Sequence, residues 1–340
     1  MAILPNETIL QIVKSLIPSS PPVAFAASHP VTQTLISFTL VSTLTSVDAR
    51  RLLLKHCLYI DSEERLEKLL SLKRQSLIDL TTAAPNGLFL APFPPSTEES
   101  YVRLDQHPNI IKNVALLLSD VREKLTRLVI DMPLRSLYPE DDSDHLRPIL
   151  REAFAGLTAL EEFCSTRDEL YLDTKELRGS EPEVWSLWPQ LRRLALYNPS
   201  LTNAEVWSGF KNCGSLTHLV VTRSDGLYEQ VSDDPTLCNS LTQLRRVVVV
   251  NTEEEFAREI RRENPVMKNT FLGRLSSFQL SHNAALAHAE EFEDSPFCSA
   301  IYVPSNSDTS DMDIDVCQEF VRHHAIEGTL WDLVGVSFLN

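Results

Sequence analysis

The residues of this chain that could do chemistry do not stand at the spacings chemistry needs. Glycine is scarce, 9 in 340 residues, under half the usual share of roughly 7%. Phosphate-cradling loops need glycines close together, and GxGxxG cannot be written anywhere. Gly209 and Gly214 have the outer spacing of a P-loop, but Ser215 and Leu216 follow where Lys-Ser/Thr is required. The six cysteines, Cys57, Cys164, Cys213, Cys238, Cys298 and Cys317, lie far apart without a CxxC pair. Zinc ribbons and thioredoxin-type motifs are thereby excluded, and reduced, mostly buried thiols are expected. His323 and His324 are neighbours, so a helix turns them to different faces and away from a shared metal. GxSxG and HExxH are absent. The expectation is a protein that is not an enzyme and uses no cofactor and no metal.

The polar residues that do recur at a fixed place sit on short apolar runs. Such runs begin at Leu125, Leu160, Leu191, Leu216, Leu244 and Leu275, at steps of 35, 31, 25, 28 and 31 residues. Between them Val114–Leu125, Leu146–Phe154, Ala204–Phe210 and Phe256–Arg262 have helical periodicity. A strand-turn-helix phrase that restarts every 25 residues or so marks a solenoid, whose repeats bury their apolar edges only by stacking. Strand alternation turns the leucines to one side and the third position to the other. Read down the stack, that third position is Arg127, Glu162, Arg193, His218, Arg246 and Ser277, with Tyr197 further along the same face. Guanidinium forks suit carboxylate and phosphate, so this row is a candidate surface for an acidic or phosphorylated protein, with Tyr197 as an anchor. The plainer reading is a solvated strand face whose arginines pair with nearby acids.

Composition bounds the partners. With 31 Lys and Arg against 47 Asp and Glu, the net charge is −16, a poor match for nucleic acid or an anionic membrane. No apolar run approaches the ~18 residues of a membrane span, and Glu7 precedes the first lysine, Lys14, so no secretory signal is expected. A cytoplasmic or nuclear location follows as the expectation. The chain divides into a helical module over residues 1–60, repeats over 61–304, an acidic flexible linker over 305–315 and an amphipathic C-terminal cap over 316–340. Residues 91–100 and 139–145 read as further mobile stretches. In the first module Leu52-Leu53-Leu54 leads towards a strand at Cys57-Leu58-Tyr59-Ile60, and Asp61-Ser62-Glu63-Glu64 opens the next helix.

Two resemblances sharpen this. The segment 125–281, best from Leu191 to Val221, resembles the leucine-rich repeat family. There Asn212-Cys213-Gly214-Ser215-Leu216 looks like the corner of its cysteine-containing subclass. The start, Leu4-Pro5-Asn6-Glu7-Thr8-Ile9-Leu10-Gln11-Ile12, is similar to an F-box, with Leu16 and the run Leu35 to Val41 fitting its later helices. The order of the two looks like that of the divergent F-box/leucine-rich-repeat proteins of filamentous fungi. What the resemblance implies is an α/β leucine-rich-repeat solenoid, an open horseshoe of about six to eight irregular repeats, behind a short helical F-box-like module. It further implies a substrate receptor, in which Leu4, Pro5, Ile9, Ile12 and Leu16 dock on the adaptor of a cullin ubiquitin ligase. The repeat face, with Arg127, Arg193, Tyr197, His218 and Arg246, would then capture a protein target. The alternative is a non-catalytic repeat scaffold whose N-terminal helices only cap the stack.

Overall fold

In a computed structural model the chain is described over residues 5–83, 85–94, 102–175, 181–224, 227, 229, 243–252, 270–271, 273–274, 298–304 and 310–337. Leu4, Cys238, the helix expected at Phe256–Arg262, and the run at Leu275 with Ser277 lie outside these residues.

Three helices come first: α1 (Asn6–Ser15), α2 (Pro30–Phe38) and α3 (Thr43–His56). Each start is set locally. Pro30 takes the first helical position of α2, where its missing N–H costs nothing, and His29 accepts the Val31 amide. Ser42 and Thr45 cap α3 reciprocally. Val13, Leu35 and Ala49 bury a small core of their own between the three helices. Leu52, Leu53 and Leu54 belong to α3 rather than to an approach to a strand, because the helical hydrogen bonds run on to Cys57. The strand itself is only Tyr59–Ile60, β1.

From there strands and helices alternate: α4 (Glu63–Arg74), α5 (Leu80–Ala83), β2 (Gly87–Leu90), α6 (Pro108–Val121), β3 (Arg127–Ile130), α7 (Leu146–Ala155), β4 (Glu162–Ser165), β5 (Arg193–Tyr197), α8 (Ala204–Asn212), β6 (His218–Thr222), β7 (Arg246–Asn251) and β8 (Cys298–Tyr302). The C-terminal part is α9 (Ser310–Glu327), a 3-10 turn at Leu330–Asp332 and β9 (Val336–Ser337). Among the described residues the nine strands form one open sheet in strict chain order. All neighbours are parallel except β8 and β9, which are antiparallel. The molecule is therefore an α/β protein. Its strands β2 and β8 were not anticipated, and β8 is the described strand that follows β7.

The sheet is buried on both faces. On one, Leu88, Leu128, Phe163, Leu194, Leu219 and Val247 meet the inner faces of α4 to α8 in a continuous core. On the other, Phe89, Val129, Cys164, Ala195, Val220 and Val248 form one cluster with Val23, with Cys317, Val321 and Ala325 of α9, and with Leu330 and Trp331 of the turn after it. Here the structure departs from the expected linker and cap. Residues 310–315 are the first turns of α9, and 316–337 lie chiefly across the sheet, with β9 alone on its β8 edge. The acids at 311–315 look like a linker by composition. Apolar residues at every fourth position further on, Cys317, Val321 and Ala325, make the segment one helix with a buried stripe.

Candidate functional site

Two surfaces hold the residues singled out by sequence. The first is the N-terminal module. Pro5 is exposed, Ile9 and Leu16 are half-buried, and Ile12 is 45% exposed on the outer side of α1. Leu4 lies outside the described residues. The larger apolar exposure is at the α2–α3 corner: Ile36, Leu40, Val41, Leu44 and Val47 are all exposed, Leu40 by 84% and Val47 by 68%. The cause is geometric. Val13, Leu35 and Ala49 take the inward positions, and the corner between two short helices leaves the intervening apolar residues outside. A lone exposed leucine is ordinary, whereas several within residues 36–47 form a patch of the kind that marks an interaction site. The expected helices over Leu35 to Val41 do not separate the inward from the outward residues, because the chain breaks between Phe38 and Thr43 and no single helical period runs through the corner.

The second surface is the row on β3 to β7. Arg127, Glu162, Arg193, His218 and Arg246 are partners in register, strand by strand. Their side chains are engaged within the chain. Arg127 donates to the carbonyls of Pro21 and Pro22, each at 3.0 Å, and burial holds its pKa below the ordinary value, against the opposing pull of Glu162. Arg193 pairs with Glu162 at 2.9 Å, Trp331 donates to the other Glu162 oxygen at 3.2 Å, and Arg246 donates to the Leu333 carbonyl. The His218 ring nitrogen Nδ1 meets Thr217 Oγ1 at 2.9 Å. Tyr197 is buried rather than presented, with 8% of its surface exposed. An acidic or phosphorylated ligand at this row has to displace these partners.

A further group of charges went unnoticed in the sequence because it gathers at the carboxyl ends of β3 and β4. Asp131 is gripped from two sides, by Arg167 at 2.7 Å and by Arg322 of α9 at 3.1 Å. Asp168, next in the chain to Arg167, is buried. Burial pushes its carboxyl up to about 6, against backbone donors from Leu170 and Arg135. No short spacing announces a cluster assembled from residues 131, 167 and 322.

Among the described residues no group of three or more His, Cys, Asp or Glu side chains is placed to hold a metal ion, and no helix is long and apolar enough to cross a membrane. No disulfide joins the described cysteines. Comparison with protein-family models, with curated proteins and with solved structures finds no match.

Proposed function

We propose that the chain is an F-box-type substrate receptor, a leucine-rich-repeat solenoid that brings a protein target to a cullin ubiquitin ligase without itself making or breaking bonds. The observation that carries the reading is the exposed apolar corner at Ile36, Leu40, Val41, Leu44 and Val47, on a small helical unit with its own core of Val13, Leu35 and Ala49. A helix that merely caps a stack buries its apolar side, whereas a docking surface keeps apolar residues in water until its partner arrives. The strictly sequential parallel strands, with helices α4 to α8 on one side, support the repeat reading.

A second reading has its own support. The N-terminal unit is tied to the rest of the chain: Arg127 donates to the carbonyls of Pro21 and Pro22, and Val23 crosses directly over Gly87. On that reading the unit is a cap and the protein a binding scaffold. Co-expression with the F-box adaptor separates the two. The wild-type chain is expected to co-purify with the adaptor. Leu40→Asp/Val47→Asp changes only exposed positions and is expected to lose at least tenfold of the complex with an unchanged melting temperature. A folded wild-type protein that captures no adaptor removes the receptor reading and leaves the scaffold.

A further inference from the structure

The sheet face opposite α4 to α8 is where a repeat protein of this layout has room for a partner. In this chain it is already occupied by α9. The occupant rests on small side chains, Cys164, Ala195, Val220 and Val248, and offers a stripe of Cys317, Val321 and Ala325 in return. That contact forms a cluster separate from the continuous core on the helix side. The sheet lies between the two, so its ladder and its main core do not include α9.

The two carboxylates under the cover are arranged so that α9 and the turn after it can leave without stranding them, at the cost of the Arg246 contact to the Leu333 carbonyl and the Val23 contact to the Ile326 carbonyl. Arg322 of α9 holds Asp131, but Arg167 holds the same carboxylate from β4's own loop. Trp331 holds Glu162, but Arg193 of the neighbouring strand holds it too. A buried ion deprived of its sole partner is strongly destabilising, whereas each of these carboxylates keeps a guanidinium when α9 and the turn after it depart. What detachment exposes is an apolar strip between Arg127, Arg193 and Arg246 on one side and Asp131 on the other.

We propose that α9 is a displaceable cover, filling in cis a site for an amphipathic helix that repeats small apolar residues at every fourth position and carries a basic residue for Asp131. The partner mode is a helix laid into an apolar groove, reached through local opening rather than global unfolding. The assignment rests on the receptor or scaffold reading only for what the partner is used for.

The chain carries its own reporters. Cys164 lies on the sheet under α9 and Cys317 on α9 itself, while Cys213 is sealed in the helix-side core. All three are at most 3% exposed. A thiol has to reach water and ionise before it alkylates. Alkylation of the folded full-length protein, resolved by peptide mass spectrometry, is expected to label Cys164 and Cys317 together, at least tenfold faster than Cys213. Arg322→Glu is expected to speed both at least fivefold and leave Cys213 unchanged. In that variant, excess synthetic peptide of residues 310–333 with Cys317→Ser is expected to slow Cys164 labelling at least threefold. One common rate for the three cysteines, meaning that the cover opens only with the whole fold, would overturn the proposal. Absence of slowing by the peptide would overturn the assignment of the face to a helix. Neither readout involves the adaptor, so failure here is distinct from failure of the receptor reading.

Discussion

His56 ends α3 with 8% of its surface exposed. Burial first, then Lys55 and Arg127, takes its imidazole from 6.5 down to about 4. In the unfolded chain the ring titrates near its ordinary value, so between pH 4 and 6.5 the unfolded state binds a proton that the folded state does not. Stability from this residue is complete above pH 6.5 and is lost as the pH falls towards 4. Asp168 acts in the opposite sense. Its folded pKa is raised to about 6, so the folded state holds the extra proton, and its contribution declines as the pH rises from about 4 to 6. The two oppose each other over much the same window, and a bare pH profile does not separate them. Urea midpoints of wild type and His56→Gln at pH 4.5 and 7.5 do. The wild type is expected to gain on the order of 2 kcal/mol more than the variant between these values. Equal gains would show that His56 does not sense the fold.

At the scale of elements, the seam between the N-terminal unit and the sheet depends on one missing methyl group. A Cβ on Gly87 would stand 2.0 Å from the Val23 carbonyl oxygen and 2.9 Å from its carbon, atoms of backbone that cannot rotate away. The crossing segment is further pinned by the Val23 amide on the Ile326 carbonyl at 2.7 Å. Gly87→Ala is therefore expected to cost about 2–4 kcal/mol, through strain or loss of the crossing. Gly156→Ala, whose nearest atoms are at 3.5 Å, is expected to be neutral or stabilising by up to about 1 kcal/mol. Thermal melts of the two side by side check the pair, and equal losses would refute the close-approach argument. The elements were unevenly legible. Helices α7 and α8 follow from apolar spacing, α6 does so only in part because it runs from Pro108 to Val121 where Val114–Leu125 was expected, and the register of Arg127, Glu162, Arg193, His218 and Arg246 follows from counting along leucine-led runs. Strand β2 is only Gly87-Leu88-Phe89-Leu90, a short apolar run with no leucine-led phrase around it, and periodicity does not classify such a run. The beginning of α9 is hidden by its acids. The exposed corner at residues 36–47 was legible as apolar but not as outward, because which side of a short helix meets its neighbours is decided by contacts distant in sequence.

Considered whole, the molecule is a sheet in chain order between two apolar layers of unequal reach. Among the described residues the helix-side layer is one cluster with members from Leu58 to Ala300, so a hole in it weakens the packing of successive strands. The other layer is formed by α9, the turn after it and Val23, and reaches across the sheet from outside the run of parallel strands. Loss of a large side chain therefore has different consequences on the two sides. Phe163 is fully buried and packs on Trp188 at 4.9 Å and Phe154 at 6.5 Å between ring centres. Phe163→Ala leaves a cavity in the continuous layer and is expected to cost about 3–5 kcal/mol of global stability. Val321→Ala removes two methyl groups from the cover, a site that can relax by sliding, and is expected to cost about 1–2 kcal/mol of contact there. Because the sheet ladder and the helix-side core do not include that contact, the second loss is expected as faster amide exchange along α9, with little change in the exchange of β4 to β6. Phe163→Ala is expected to raise exchange throughout those strands. Hydrogen exchange followed by mass spectrometry distinguishes the patterns. If Val321→Ala loosens β4 to β6 as much as α9, the two layers behave as one cooperative unit and the separation argued from their packing does not hold.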